Sequence, residues 1–351
     1  PATRQAGRTH NFQVEPQFAS GPYALRFEAW AGEQVTATAE TGPLMQVETQ
    51  PRQFVAGPIS RPTSANFADQ MTLLGYDLPQ RRTQAGGDIP VTLYWQALQA
   101  IGADLITFNQ LVDDQGQVWG GRDRRPRDIY STMLWAPGEV VSDPYTVAVD
   151  PATPDGIYYL HVGAYLPVGE SYVTLPLMAN GAYSEVTSVS IGPIKVGEAP
   201  ADLFQTGSQP RQRLDQPFGD GPHLTLLGFD LTDETGQPIT NNQLPITDVH
   251  VTLYWQSDRP LLTDYTTFVH LRDESGVVVA QKDQPPLNGA YPTSLWDPGE
   301  VIADNIVISL PEELPQGEYK LIVGMYDFLS DQRLMIPNHP ADELELTGLV
   351  K

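Results

Sequence analysis

Two short stretches pair a tyrosine with a tryptophan at one spacing. IYSTMLWAPGE places Tyr130 five residues before Trp135, and AYPTSLWDPGE places Tyr291 five before Trp296. Aromatic rings on loops at one end of a β-structure can stack on the apolar faces of sugars, which makes these four residues candidate ligand contacts. The structural alternative is that each indole plugs the open end of a domain while Pro-Gly makes the turn. Acidic turns offer a second chemistry. Asp113 and Asp114 in DDQG, and Asp273 and Glu274 in DESG, are candidate calcium ligands. Calcium takes roughly six to eight oxygens, and two carboxylates per turn without EF-hand spacing are a poor match.

Other chemistries lack their residues. The six histidines, His10, His161, His223, His250, His270 and His339, show no HExxH or other metal-ligand spacing. There is no GxSxG elbow, P-loop or dinucleotide fingerprint, so no cofactor is implied. With 43 acidic residues a pair of carboxylates for glycoside hydrolysis is conceivable, but no pair stands out. Cysteine is absent, which removes disulfides, thiolate metal sites and thiol nucleophiles. The formal charge of −23 repels phosphate backbones at long range, so nucleic acid is a poor partner. The basic cluster RDRRPRD, Arg122 to Asp128, is interleaved with acids and reads as a solvated loop. No window is apolar enough to span a membrane, and no signal-peptide pattern opens the chain.

The elements that carry these loops are duplicated. VTLYWQ occurs at Val91–Gln96 and again at Val251–Gln256. TLLGYDL at Thr72 matches TLLGFDL at Thr225, LWAPGEV at Leu134 matches LWDPGEV at Leu295, and GIYYLHVGAY at Gly156 matches GEYKLIVGMY at Gly317. The offset drifts only from 153 to 161, as expected of a duplicated domain. Gly and Pro are abundant (30 and 32), and apolar residues alternate with polar ones in VTLYWQ, both marks of short strands joined by turns. The prediction is an all-β fold of tandem β-sandwiches, immunoglobulin-like or jelly-roll-like, with Trp95 and Trp255 in the cores.

A further relic precedes the first copy. At a constant offset of 135, Val14, Pro16, Gly21, Tyr23 and Leu25 match Val149, Pro151, Gly156, Tyr158 and Leu160, and GPI at Gly57 matches GPI at Gly192. Residues 1–61 therefore read as the second half of a repeat, 62–200 as copy 1 and 201–351 as copy 2. The linkers are expected near Pro62 and across Ala201 to Pro217. Strands expected at Asn11–Val14, Pro22–Trp30, Leu44–Glu48 and Gln53–Ala56 would leave Phe12, Leu25, Phe27 and Val55 without a facing sheet. An upstream fragment or another protein chain is then expected to complete residues 8–60.

The set LLGYDL, VTLYWQ, LWxPGE and GxYxLxVGxY resembles tandem β-sandwich segments that follow the membrane-spanning part of large bacterial proteins similar to family-39 glycosyltransferases, the dolichyl-phosphate-mannose mannosyltransferase type. The resemblance covers about Asn66 to Lys351. It implies an extracytoplasmic, membrane-associated location at the cell surface, with the sugar-transfer acids in a membrane part that this chain lacks, and it places no catalytic residue here. The expectation is a noncatalytic structural or assembly module of the bacterial cell envelope. The alternative is a carbohydrate-binding module that meets an envelope glycan through its Tyr/Trp loops, and a hydrolase or transferase ranks below both.

Overall fold

Val91, Leu93 and Trp95 alternate with Thr92, Tyr94 and Gln96, the period of a strand with one buried face. In the computed structural model, Asp88–Ala97 is such a strand, with every second residue from Ile89 to Ala97 buried and Trp95 at 0% exposure. Its duplicate, Asp248–Ser257, buries Trp255 equally. The structure describes residues 21–24, 26–42, 45–47, 52–199, 209–219, 224–244, 247–337 and 341–351.

Copy 1 is built from β1 (Arg61–Phe67), β2 (Met71–Asp77), β3 (Asp88–Ala97), β4 (Ile106–Val112), β5 (Val118–Gly121), β6 (Val140–Ala148), β7 (Gly156–Val168) and β8 (Ser188–Val196). Copy 2 repeats them as β9 (Gln212–Phe218), β10 (Leu224–Thr232), β11 (Asp248–Ser257), β12 (Tyr265–Asp273), β13 (Val278–Gln284), β14 (Val301–Ser309), β15 (Glu318–Asp327) and β16 (Leu344–Val350). One sheet of copy 1 runs β6-β3-β2-β1, and copy 2 has β14-β11-β10-β9. The facing sheets run β5-β4-β7-β8 and β13-β12-β15-β16. Each number in copy 2 is the copy 1 number plus eight, so the duplication holds strand for strand. Each sandwich encloses its own apolar cluster, one around Trp95 and one around Trp255.

The LLGYD and LLGFD motifs explain themselves in this frame. The register of β2 against its neighbours slips between Leu73 and Gly75, and that of β10 between Leu226 and Gly228. A Cβ on Gly75 would overlap the backbone oxygen of Arg61, and one on Gly228 that of Gln212. Glycine at the bulge lets the edge strand approach. Each β7-type strand also opens with a tyrosine that ties back its own turn: the Tyr158 and Tyr319 hydroxyls donate to the carbonyls of Pro154 and Pro315, both at 2.7 Å.

Two expectations are corrected. The stretches around Pro62 and up to Pro217 are not wholly linker, because Arg61–Phe67 and Gln212–Phe218 are edge strands. An edge position tolerates proline, since the missing N–H need not serve a ladder. Secondly, the half repeat does not reproduce the pairing of its counterpart. Gly156 and Tyr158 pair with Val196 and Ile194, but Gly21–Tyr23 pairs with Met45–Val47, and Arg26–Ala31 with Gln34–Glu40. The GPI segment that would fill the β8 place instead leads straight into β1, and Gln53 bridges to Val140 of copy 1. Every residue of Gln34–Glu40 is exposed, as are Trp30 and Val55. The expected strand Asn11–Val14 and the side chains of Phe12, Leu25 and Phe27 lie outside the described residues.

Candidate interdomain docking site

The two Tyr/Trp loops sit at one end of each sandwich, called the head here. In both, a single 3-10 turn, Thr132–Leu134 or Thr293–Leu295, leads into the tryptophan and the Pro-Gly turn before the next strand. Trp135 is 3% exposed, and Tyr291 and Trp296 are at 0%; Tyr130 is half-buried against Trp135, with ring centroids 6.1 Å apart. The expectation of ligand-stacking aromatics is therefore corrected. The indoles face inward to close the sandwich ends, and neither offers a free ring face.

The motif's glutamate, which sequence reasoning passed over, organises the loop. The Tyr130 hydroxyl donates to Glu139 Oε1 at 2.7 Å, and the Ala136 N–H donates to Glu139 Oε2 at 2.8 Å. In copy 2 the Tyr291 hydroxyl and the Asp297 N–H both donate to Glu300 Oε2, at 2.8 and 2.6 Å. Each head thus presents a tyrosine and a carboxylate fixed to one another, the start of a cation socket.

The copy 2 socket is filled by copy 1. Lys195, near the end of β8, is 1% exposed and donates from Nζ to the Tyr291 hydroxyl at 2.7 Å and to the Leu295 carbonyl at 3.3 Å. It pairs with Asp297 and lies 3.5 Å from Glu300 Oε1. Two neighbours in the turn before β3 extend the contact. Arg81 donates to both Asp264 oxygens, at 2.6 and 2.7 Å, and to Ser294 Oγ. Arg82 pairs with Asp297 and donates to the Trp296 carbonyl at 3.2 Å. Arg61 adds a second guanidinium on Asp264 at 2.8 Å, while Ile157 and Ala199 pack on the copy 2 core. Arg81, Arg82 and Lys195 share one place because Lys195 N–H bonds the Arg81 carbonyl and β8 runs parallel to Arg82–Thr83.

Burial pushes the Lys195 ammonium below the ordinary lysine range, and Glu300 offsets this only in part. Burial also works to raise Asp264, but Arg81 and Arg61 prevail and hold its carboxyl below the usual range. Burial, then the bond to Glu300, pushes the Tyr291 phenol far up; Tyr130 is raised in the same way by burial and Glu139. All these phenols stay protonated at neutral pH, so the tyrosines are donors to carboxylates and not bases.

Copy 1's head repeats the tyrosine–glutamate pair, with Ala136 where copy 2 has Asp297, and its glutamate too receives a cation from the segment before it. Arg52 Nη1 lies 3.0 Å from Glu139 Oε2, and the Val140 N–H donates to the Gln53 carbonyl at 2.7 Å.

The candidate calcium ligands have other partners. Asp113 accepts from the N–H groups of Gln115 and Gln117 and from Trp119 Nε1 at 2.7 Å, which holds its carboxyl below the usual range. Asp273 accepts from Ser275 and Val277, and Glu274 accepts from the Glu318 N–H at 3.3 Å. Asp114 is exposed at its turn. These acids brace hairpin turns, as Asp233 does in a third such turn. No group of three or more metal-ligating side chains occurs among the described residues, and no helix there is long and apolar enough to cross a membrane.

No family model matches the chain, and no curated protein matches it. Among solved structures, a DUF4785 family protein from Legionella pneumophila aligns at 9% identity and a TM-score of 0.20, over 80% of this chain and 56% of that one. The chain thus spans little more than half the length of that structure.

Proposed function

We propose that this chain is a noncatalytic structural and assembly module of the bacterial cell envelope, lying outside the cytoplasm and joined to a membrane protein of the glycosyltransferase-like type. Its part in that setting is to hold two sandwiches as one stiff unit. The observation that carries the reading is the fully buried Lys195 of copy 1 seated on Tyr291, Asp297 and Glu300 of copy 2. A buried ion pair contributes little net stability but is strict about geometry, which suits a fixed spacer. The location rests on the resemblance of the LLGYDL, VTLYWQ and LWxPGE set.

Because the chain has no cysteine, Gln115→Cys and Glu234→Cys supply unique spin-label sites in exposed turns of the two sandwiches. A single narrow interlabel distance distribution is expected from electron–electron double resonance. A broad one overturns the spacer reading. Protection of the chain from added protease in intact cells with a sealed envelope, with cleavage only after lysis of the inner membrane, counts against the location.

A further inference from the structure

We infer that the mouth of the copy 2 sandwich, at its head end, is a binding site for one neutral sugar ring of the hexopyranose type. A cavity of about 400 Å³ opens there between the two sheets. Small-molecule sites run from roughly 300 to 1,000 Å³. Phe218, which ends β9, and Leu224, which begins β10, line it from one sheet, with Leu261 and Leu334 beside them. The site is separate from the Tyr/Trp loops, whose indoles face inward.

The polar lining is one row of the facing sheet. Along β12 and β15, Val269 pairs with Val323 and Thr267 with Met325, all of them buried. The next row on that face, nearest the head, sets Tyr265 opposite Asp327 and Asp327 opposite Gln332. Neighbours in such a row stand about 5 Å apart. Copy 1 has Leu105 and Leu166 at the first two places and Val173, opposite Leu166, at the third. Leu105 is 2% exposed, and Leu166 packs on the copy 1 core. One mouth is thus plugged by an apolar row, whereas the other carries a phenol, a carboxylate and an amide on one wall of a cavity.

That wall is held in place. The Tyr265 N–H donates to Thr293 Oγ1 at 2.9 Å, and Thr293 Oγ1 donates to the Thr263 carbonyl at 2.6 Å. Among the described residues, no hydrogen bond occupies the hydroxyls of Thr263 and Tyr265 or the Gln332 amide. Asp327 accepts from the Leu329 N–H at 3.0 Å and from Ser330 Oγ at 2.7 Å, which fixes its carboxylate and leaves it lone pairs. Arg333, also in the lining, is answered by Glu343 at 3.2 Å and Asp342 at 3.6 Å. An anion would meet Asp327, and a cation would meet Arg333. A hexopyranose fits between them. Its hydroxyls donate to a carboxylate and accept from an amide or guanidinium, and its C–H faces suit the Tyr265 ring and the leucines.

The test is to titrate residues 1–351 with the methyl glycosides of glucose, galactose, mannose and N-acetylglucosamine, and with methyl glucuronide as the anionic control, by saturation-transfer NMR. At least one neutral glycoside is expected to bind with a Kd of about 10 mM or tighter. The glucuronide should bind about tenfold more weakly or not at all. Tyr265→Phe removes only the phenol hydroxyl and should weaken binding about fivefold. Tyr265→Leu together with Gln332→Val installs the residues that copy 1 folds with, so it should remove binding and keep the unfolding midpoint of copy 2. No binding of any of the four glycosides, equal binding of the glucuronide, or unchanged affinity in the double variant each overturns the inference. Should the double variant lose its fold, Tyr265→Phe decides alone, and unchanged affinity there overturns the inference. The site lies wholly within copy 2 and does not rest on the spacer reading: the interlabel distance tests that reading, and sugar binding tests this one.

Discussion

Asp143 and Asp304 occupy the same place in the two sandwiches, yet only the first has a cation. Both are at 0% exposure. Arg124 Nη2 lies 2.6 Å from Asp143 Oδ1, and the Arg127 N–H donates to the same oxygen at 2.6 Å. At Asp304 the counterpart of Arg124 is Gln284, whose amide reaches Oδ1 at 3.4 Å, with the Leu287 N–H at 2.9 Å. Duplication kept the buried acid and changed its neutralising partner. Burial raises both carboxyls; Asp304, with nothing cationic against it, is pushed up to about 6.

That asymmetry gives copy 2 a pH dependence. A carboxyl titrating near 6 when folded and near 3.8 when unfolded binds its proton more tightly in the native state. Its contribution is fully present below about pH 4 and is lost as pH rises through 6. The loss amounts to roughly 2 to 3 kcal/mol at one pKa unit per 1.36 kcal/mol. In denaturant unfolding followed between pH 4 and 7.5, copy 2 should weaken over this window, and Asp304→Asn should flatten the profile. A native profile already flat there removes the assignment.

Arg124→Gln makes copy 1 resemble copy 2 at this site. Asp143, already raised by burial, then loses the charge that opposes it, so the decline of copy 1 stability with rising pH should steepen. Arg124→Ala is harsher, because it leaves a buried carboxylate with neither the guanidinium nor a side-chain amide in its place, held by the Arg127 N–H. Removing one partner of a buried pair costs about 3 to 5 kcal/mol. The check is the unfolding midpoint of copy 1, which should drop at pH 7.5 and recover partly at pH 4.5.

The fold was legible in the sequence because strand periodicity is local and the repeat states it twice: Trp95 and Trp255 follow from alternation alone. The glycines of VGAY and VGMY gave no such signal. Gly163 and Gly324 lie directly under the rings of Phe108 and Phe268 on the neighbouring strands, where a Cβ would overlap ring carbons, and that pairing depends on cross-strand register. The docking site was legible in part. Tyr130, Trp135, Tyr291 and Trp296 were picked out as a unit, but their burial depends on long-range contacts. Lys195 and Arg81 lie about a hundred residues or more from their partners, and no local pattern joins a lysine near the end of one strand to a loop of the next domain. The one available hint was that lysine is scarce, with four in the chain, and that Lys195 follows an apolar run.

Trp95→Ala and Trp255→Ala should each cost about 3 to 5 kcal/mol, as aromatic truncation in a packed core does. Each indole also packs edge-on against a phenylalanine of the edge strand's end, Phe67 at 5.5 Å and Phe218 at 5.4 Å, so the loss extends to the strand that opens the domain. Because the two apolar clusters are separate, each substitution should lower the unfolding midpoint of its own sandwich first. Calorimetry with limited proteolysis reads which domain melts. A loss of a few tenths in either case contradicts the inward assignment.

Lys195 allows the junction to be tested apart from the domains it joins. Lys195→Met removes the ammonium but fills most of its volume. Since buried ion pairs replaced by apolar groups are often neutral in stability, each sandwich should keep its unfolding midpoint to within about 1 kcal/mol. Asp297 retains Arg82 and Asp264 retains Arg81 and Arg61, so the two copies should remain docked. Lys195→Glu reverses the sign, placing a buried carboxylate beside Asp297 and Glu300 with the Tyr291 hydroxyl already committed to Glu300. Like charges in a buried site cannot all stay ionised and paired, so the interface should open and the interlabel distance between Gln115→Cys and Glu234→Cys should broaden. Unfolding should then resolve into two independent transitions. An unaltered narrow distance in Lys195→Glu at neutral pH shows that packing by Ile157 and Ala199 holds the copies together without the ion pairs.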